Sequence, residues 1–123
     1  RGRGVRGPLA WPMVPSMTTR RERFDALVLE VAERARPWLG TRHQDVDFAV
    51  EDVPIDDPLA WEPHLAVLGR VIGAGPTGRR IVVHRRPIEA RAQSHHDLQE
   101  LIREVIAEQV ALILGVPPDE VTL

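Results

Sequence analysis

The stretch from His95 to Leu114 is punctuated at both ends as a single helix, and this limits what the rest of the chain can build. Ser94 supplies a side-chain acceptor for the first free amides, and Asp97 in the first turn faces the positive end of the helix dipole. At the other end, Gly115 suits a left-handed cap, and Pro117 and Pro118 forbid continuation. At about 100° per residue, Leu98, Leu101, Ile102, Val105, Ile106, Leu112 and Ile113 fall in one broad arc, flanked by Asp97, Glu100, Glu104 and Glu108. The acidic flank reads as a solvated face; the arc needs an apolar surface to lie on. One polar residue, Gln109, falls near the centre of the arc. A buried amide costs roughly 1–3 kcal/mol unless it is hydrogen-bonded, so Gln109 is expected to have partners. It is either a satisfied core amide or the remnant of an active-site polar group.

The surface for that helix is readable upstream. Thr19 to Glu22 matches a capping box, and Phe24, Leu27, Val28, Val31, Ala32 and Ala35 follow at helical spacing. This predicts a helix over 19–36, stopped by Pro37 and Gly40. Val46, Phe48 and Val50 alternate with Asp47, Ala49 and Glu51, the pattern of a half-buried strand. Residues 52–64 are rich in proline and acid and read as a long loop. Leu65–Ile72 reads as a second strand, 73–78 as a turn, and Arg80–His84 as a third strand ended by Pro87. The third is the most continuously apolar and is therefore expected in the middle. The predicted class is α+β: a short mixed β-sheet of about three to four strands packed against two main helices, about 19–36 and 95–114. Residues 1–18, rich in Arg, Gly and Pro without a period, read as a flexible tail, and 19–123 as a single domain.

Composition narrows the function classes. At 43% hydrophobic and 28% charged, with net charge −2, the profile is globular. No apolar run approaches the roughly 18 residues a membrane span needs, and no apolar stretch follows the N-terminal arginines, so a cytoplasmic location is expected. The chain has no cysteine, which excludes disulfides and thiolate metal sites. All 16 basic residues are arginine, which reads as codon bias rather than function. Arg1, Arg3 and Arg6 could neutralise phosphates, but the acidic balance and the lack of a basic stripe argue against nucleic acid as the main partner. His84, His95 and His96 make a poor metal site, because adjacent helical residues diverge by about 100°. Arg85 and Arg86 are expected to pair with the acidic loop or with Glu89, an anion site being the alternative. Trp61 either covers the sheet or anchors a partner. No phosphate-binding loop, dinucleotide fingerprint or nucleophile triad is present.

Several segments together carry a resemblance. They are the helix containing Arg23-Phe24-Asp25, the strand end Val50-Glu51-Asp52-Val53-Pro54, the element Ile81-Val82-Val83-His84-Arg85-Arg86-Pro87-Ile88-Glu89, and the final helix running into Leu114-Gly115-Val116. Over about residues 20–122 the chain resembles the compact "minimal zincin" metallopeptidases of actinobacteria and other bacteria. That family's pattern is similar to His-Glu-x-x-His-x-x-Gly-x-x-Asp. Aligned on Gly115, the resemblance places the first zinc ligand at Glu108, the general base at Gln109, the second ligand at Leu112 and the third at Pro118. It also places His84 where the family often has tyrosine, which implies a packing role. Residues four apart share a helical face, so two imidazoles there would converge on zinc, and the intervening carboxylate would take a proton from the bound water. Glu108 could still coordinate, but Gln109 has no carboxylate, Leu112 and Pro118 no donor, and Asp119 stands one residue out of register.

The resemblance thus implies a metallopeptidase-like domain without catalytic residues, metal or other cofactor. It would bind an unidentified protein or peptide, through a groove including Arg85, Arg86, Glu89 and Gln109 or along an exposed sheet edge. Two alternatives stay open: a zinc-dependent metallopeptidase with rearranged ligands (Glu108, Asp119 and a histidine), and an Arg-tailed nucleic-acid accessory protein.

Overall fold

The computed structural model describes residues 19–43, 45–53, 67–73 and 78–123. The tail 1–18, Trp61 with most of the acidic loop, and the centre of the 73–78 turn lie outside the described residues. The elements run α1 (Arg20–Leu39), β1 (Val46–Glu51), β2 (Gly69–Ile72), β3 (Arg79–His84), α2 (Arg85–Arg91) and α3 (His95–Leu114). Short 3-10 turns follow α1 at Thr41–His43 and α3 at Pro118–Glu120.

The capping box forms as the sequence predicts: Glu22 N–H donates to Thr19 Oγ1 at 3.1 Å, and Thr19 N–H donates to Glu22 Oε1 at 3.0 Å. The predicted stop at Arg36 is wrong by one turn, since α1 passes through Pro37 to Leu39. Proline removes its own N–H and crowds the carbonyl four residues earlier, but Leu39 is buried in the core and Gly40 N–H still reaches the Arg36 carbonyl at 3.0 Å. The third strand ends at His84 as predicted, but the chain does not continue as a loop: Arg85–Arg91 forms the helix α2, with Pro87 in its first turn. An amide there would have no intrahelical acceptor, so proline costs little.

The sheet order is β1-β3-β2, with β3 central as predicted, β1 parallel to it and β2 antiparallel. Strand alternation divides β3 between two faces. Ile81 and Val83 join Phe24, Val28, Val31, Ile102 and Ile106 in the core beneath α1 and α3, whereas Val82 and His84 are buried on the opposite face. The fold is the expected α+β arrangement of helices on a small mixed sheet.

Candidate functional site

α3 is capped as predicted: Asp97 N–H donates to Ser94 Oγ at 3.0 Å, and Gly115 takes a left-handed conformation with φ 73°. Gly115 and Val116 N–H both reach the Ala111 carbonyl, at 2.8 and 3.1 Å. The register of the last two turns is therefore set by Gly115.

The buried arc of this helix differs from the prediction. Ile102, Val105, Ile106, Val110 and Ala111 are buried, while Leu112 is 69% exposed. The chain after Gly115 folds back so that Val121 is buried in the same core cluster as Val110 and Ala111. The covered arc thus includes Ala111, and Leu112 lies on the outer side. Leu112 and Glu108, both exposed, share one face at the i, i+4 spacing a ligand pair would use. Gln109 is half-buried and makes no side-chain hydrogen bond among the described residues. It needs none, because its amide is not sealed from water. Pro118 and Asp119 lie exposed in the turn beyond the cap.

β2 forms the rim beside this face. It pairs with β3 on one side and, among the described residues, is a sheet edge on the other. Gly69 is what lets the edge approach α3. A Cβ built there would stand 2.5 Å from Val105 Cγ1 and 3.0 Å from the Val82 carbonyl, with Gln109 Cγ at 4.0 Å. An isolated glycine in a strand signals such close approach, and it is the one sequence cue to this seam that lay outside the family pattern.

The other predicted site residues form a separate corner. Arg85 Nε donates to Asp52 Oδ1 at 3.1 Å and its Nη1 to Glu89 Oε1 at 2.8 Å. Arg21 of α1 completes the network by donating to both Asp52 oxygens, at 3.0 and 2.8 Å. Arg86 contributes its backbone N–H to the Asp52 carbonyl at 3.0 Å, while its side chain is exposed. Desolvation opposes ionisation of Asp52. The hydrogen bond from Arg85 and the charges of Arg85, Arg21 and Arg86 outweigh it together and hold this carboxyl below its ordinary range. The pairing of Arg85 with Glu89 and the acidic segment is as predicted. These residues do not come together with Gln109 in one groove, however: the network joins α1, the residue just after β1 and α2, whereas Gln109 faces β2 from α3.

His84 is fully buried. Its Nδ1 lies 2.9 Å from the Val67 carbonyl, which only accepts, so Nδ1 carries the proton. Nε2 is buried without a partner among the described residues, as is Arg70 Nε. Burial, with the nearby Arg70 charge, lowers the His84 pKa against the opposing pull of the Val67 carbonyl and Glu51. The ring is a neutral packing group. His95 and His96 are both exposed at the start of α3.

Residues 43–123 match the family model of zincin-like metallopeptidases. The chain belongs to the zincin-like metallopeptidase family. No curated protein matches it. The matched span includes β1 to α3 and the final turn, so the scaffold around the motif helix is the family's. The family implies zinc, which needs about three protein ligands and an open position. Among the described residues no group of three or more His, Asp or Glu could hold a metal ion. The motif positions present one carboxylate (Glu108), a neutral amide (Gln109), an alkyl group (Leu112) and a proline (Pro118). These residues do not fit the ion.

Proposed function

We propose that this zincin-like domain has lost zinc and peptide hydrolysis and acts by binding an extended protein or peptide segment along β2 beside α3. The observation that carries the reading is the replacement of the ligand and base positions together with the 69% exposure of Leu112. A lone mutation would leave a charged, half-built site. Here the base position is neutral, and an alkyl group is presented to solvent where the second ligand would stand. An exposed leucine beside a sheet edge suits an extended segment: the edge offers backbone hydrogen bonds, and the side chain gives an apolar contact. A neutral Gln109 can stay half-buried without the cation that a carboxylate there would call for.

Metal content and activity test the reading directly. Protein purified without chelators should contain far less than one zinc per chain and leave unstructured substrates such as casein intact. The combined substitutions Glu108→His, Gln109→Glu, Leu112→His and Pro118→Asp should raise zinc affinity by orders of magnitude, measured by calorimetry, because they supply two imidazoles and a carboxylate at the required spacing. One bound zinc in the natural chain would overturn the proposal. A folded quadruple variant that still binds no zinc would overturn the register.

A further inference from the structure

The opposite edge of the sheet has its own groove, unconnected with the family's motif. The antiparallel pairing fixes which backbone groups face it. His84 N–H donates to the Leu68 carbonyl at 2.9 Å, so Arg80, Val82 and His84 direct their amides toward β2, and Ile81 and Val83 direct theirs toward β1. In the parallel β1–β3 ladder, Ile81 and Val83 bond to the neighbours of their partners, namely Asp47, Ala49 and Glu51. Val46, Phe48 and Val50 therefore present their N–H and C=O groups outward. The Val46 carbonyl confirms the direction, since it accepts from Arg36 Nη1 at 2.9 Å. The outward groups of Phe48 and Val50 have no partner among the described residues.

α1 runs beside this edge and encloses a groove of about 490 Å³. Its apolar floor includes Val28, Ala32 and Phe48, and its rim carries Leu29, 65% exposed. Three carboxylates line it, those of Asp25, Glu33 and Asp47, against two guanidiniums. Both guanidiniums are engaged: Arg36 holds the Val46 carbonyl and lies 5.2 Å from the Phe48 ring centre, and Arg80 stands 3.8 Å from Asp47. Asp25, Glu33 and the adjoining Glu51 have no ion pair among the described residues.

From this we infer that the β1 edge takes up an extended polypeptide segment bearing basic side chains, paired strand to strand with Phe48 and Val50. The free ladder groups specify an extended backbone. Leu29 and Phe48 contact its apolar residues, and Asp25 and Glu33 on one side with Asp47 and Glu51 on the other select its charge. A second copy of this chain fits worse. Antiparallel self-pairing about Ala49 sets Asp47 opposite Glu51, and pairing about Phe48 sets Asp45 opposite Glu51; like charges in direct register destabilise a sheet. This surface is independent of the zinc-free reading, because it uses neither β2 nor α3.

The test is an amide-shift titration of the full chain with two short synthetic peptides, one alternating arginine with valine, the other glutamate with valine. The basic peptide should shift the Phe48 and Val50 amides and bind more weakly as salt is raised. The paired substitutions Leu29→Arg and Glu33→Arg, both on the exposed face of α1, should weaken that binding roughly tenfold or more while leaving the unfolding temperature unchanged. The inference is overturned by equal affinity for the acidic peptide, by shifts confined to β2, or by unaltered binding to the paired variant. It is also overturned if the natural chain sediments as a dimer that Leu29→Arg dissociates, since the occupant would then be a second copy.

Discussion

At the corner where α1, β1 and α2 meet, Asp52 and Glu89 are held by Arg85 and Arg21, all within hydrogen-bond distance. At the seam of β2 and α3, the positions that the resemblance assigns to the zinc ligands and base carry one exposed carboxylate, an amide, a leucine and a proline. The first corner is self-sufficient: each charge has its opposite in the same fold, so ionisation and folding support each other. The second would depend on an ion from outside, and without suitable donors it carries no buried charge that needs one. A half-buried carboxylate is retained where the chain itself supplies the cation, and a neutral side chain stands where it does not.

The contrast can be tested by breaking either side. The largest effect is expected at the charged corner. Arg85→Ala should destabilise the domain by about 2–4 kcal/mol, because it strands Glu89 and part of Asp52 without their hydrogen-bonded cation. A shift in the urea midpoint worth under about 0.5 kcal/mol would mean that the corner is merely a surface ion pair. At the seam, Gly69→Ala should cost about 1–3 kcal/mol, since the new methyl meets Val105 Cγ1 and the Val82 carbonyl. Double replacement of Gly69→Ala with Val105→Ala should recover much of any loss due to that clash.

His84 sharpens the comparison from the far face of the sheet. Its folded pKa is held below the ordinary value, which is about 6.5, so the unfolded chain takes up the proton first on acidification. Stability attributable to this residue is intact above that value. It declines as pH falls below it, by at most about 1.4 kcal/mol per pH unit, until the folded pKa is reached. Unfolding curves across this range should show the decline in the natural chain, and His84→Phe should remove it. The smallest effect belongs to Leu112. Leu112→Gln should alter stability by less than about 0.5 kcal/mol, despite removing an apolar residue from the motif helix, and a larger loss would show that the side chain is packed.

Most of the scaffold was legible because its signals are local. The capping box at Thr19, the Ser94 and Gly115 caps and the apolar continuity of β3 each act within a few residues, and each forms as read. The errors occurred where tertiary forces overrode local rules. Leu39 draws α1 past Pro37, and α2 begins directly after β3 because a first-turn proline has no hydrogen bond to lose. The exposure of the motif helix was not legible. The resemblance, aligned on Gly115, named Glu108, Gln109, Leu112 and Pro118, yet a helical wheel treats all arcs with equal right to the core. It could not foresee that Val121 returns to the same core cluster as Val110 and Ala111 or that Leu112 stays exposed.

By itself the sequence determined the start of α1, both ends of α3, the central strand and the non-ligating side chains of Leu112 and Pro118, since these follow from residue type and spacing. Only the tertiary structure decided that Arg85 and Gln109 belong to different regions, that Gly69 brings the β2 edge onto α3, and that Phe48 and Val50 face outward. Those outcomes depend on strand register and on where distant segments return, which no local pattern encodes.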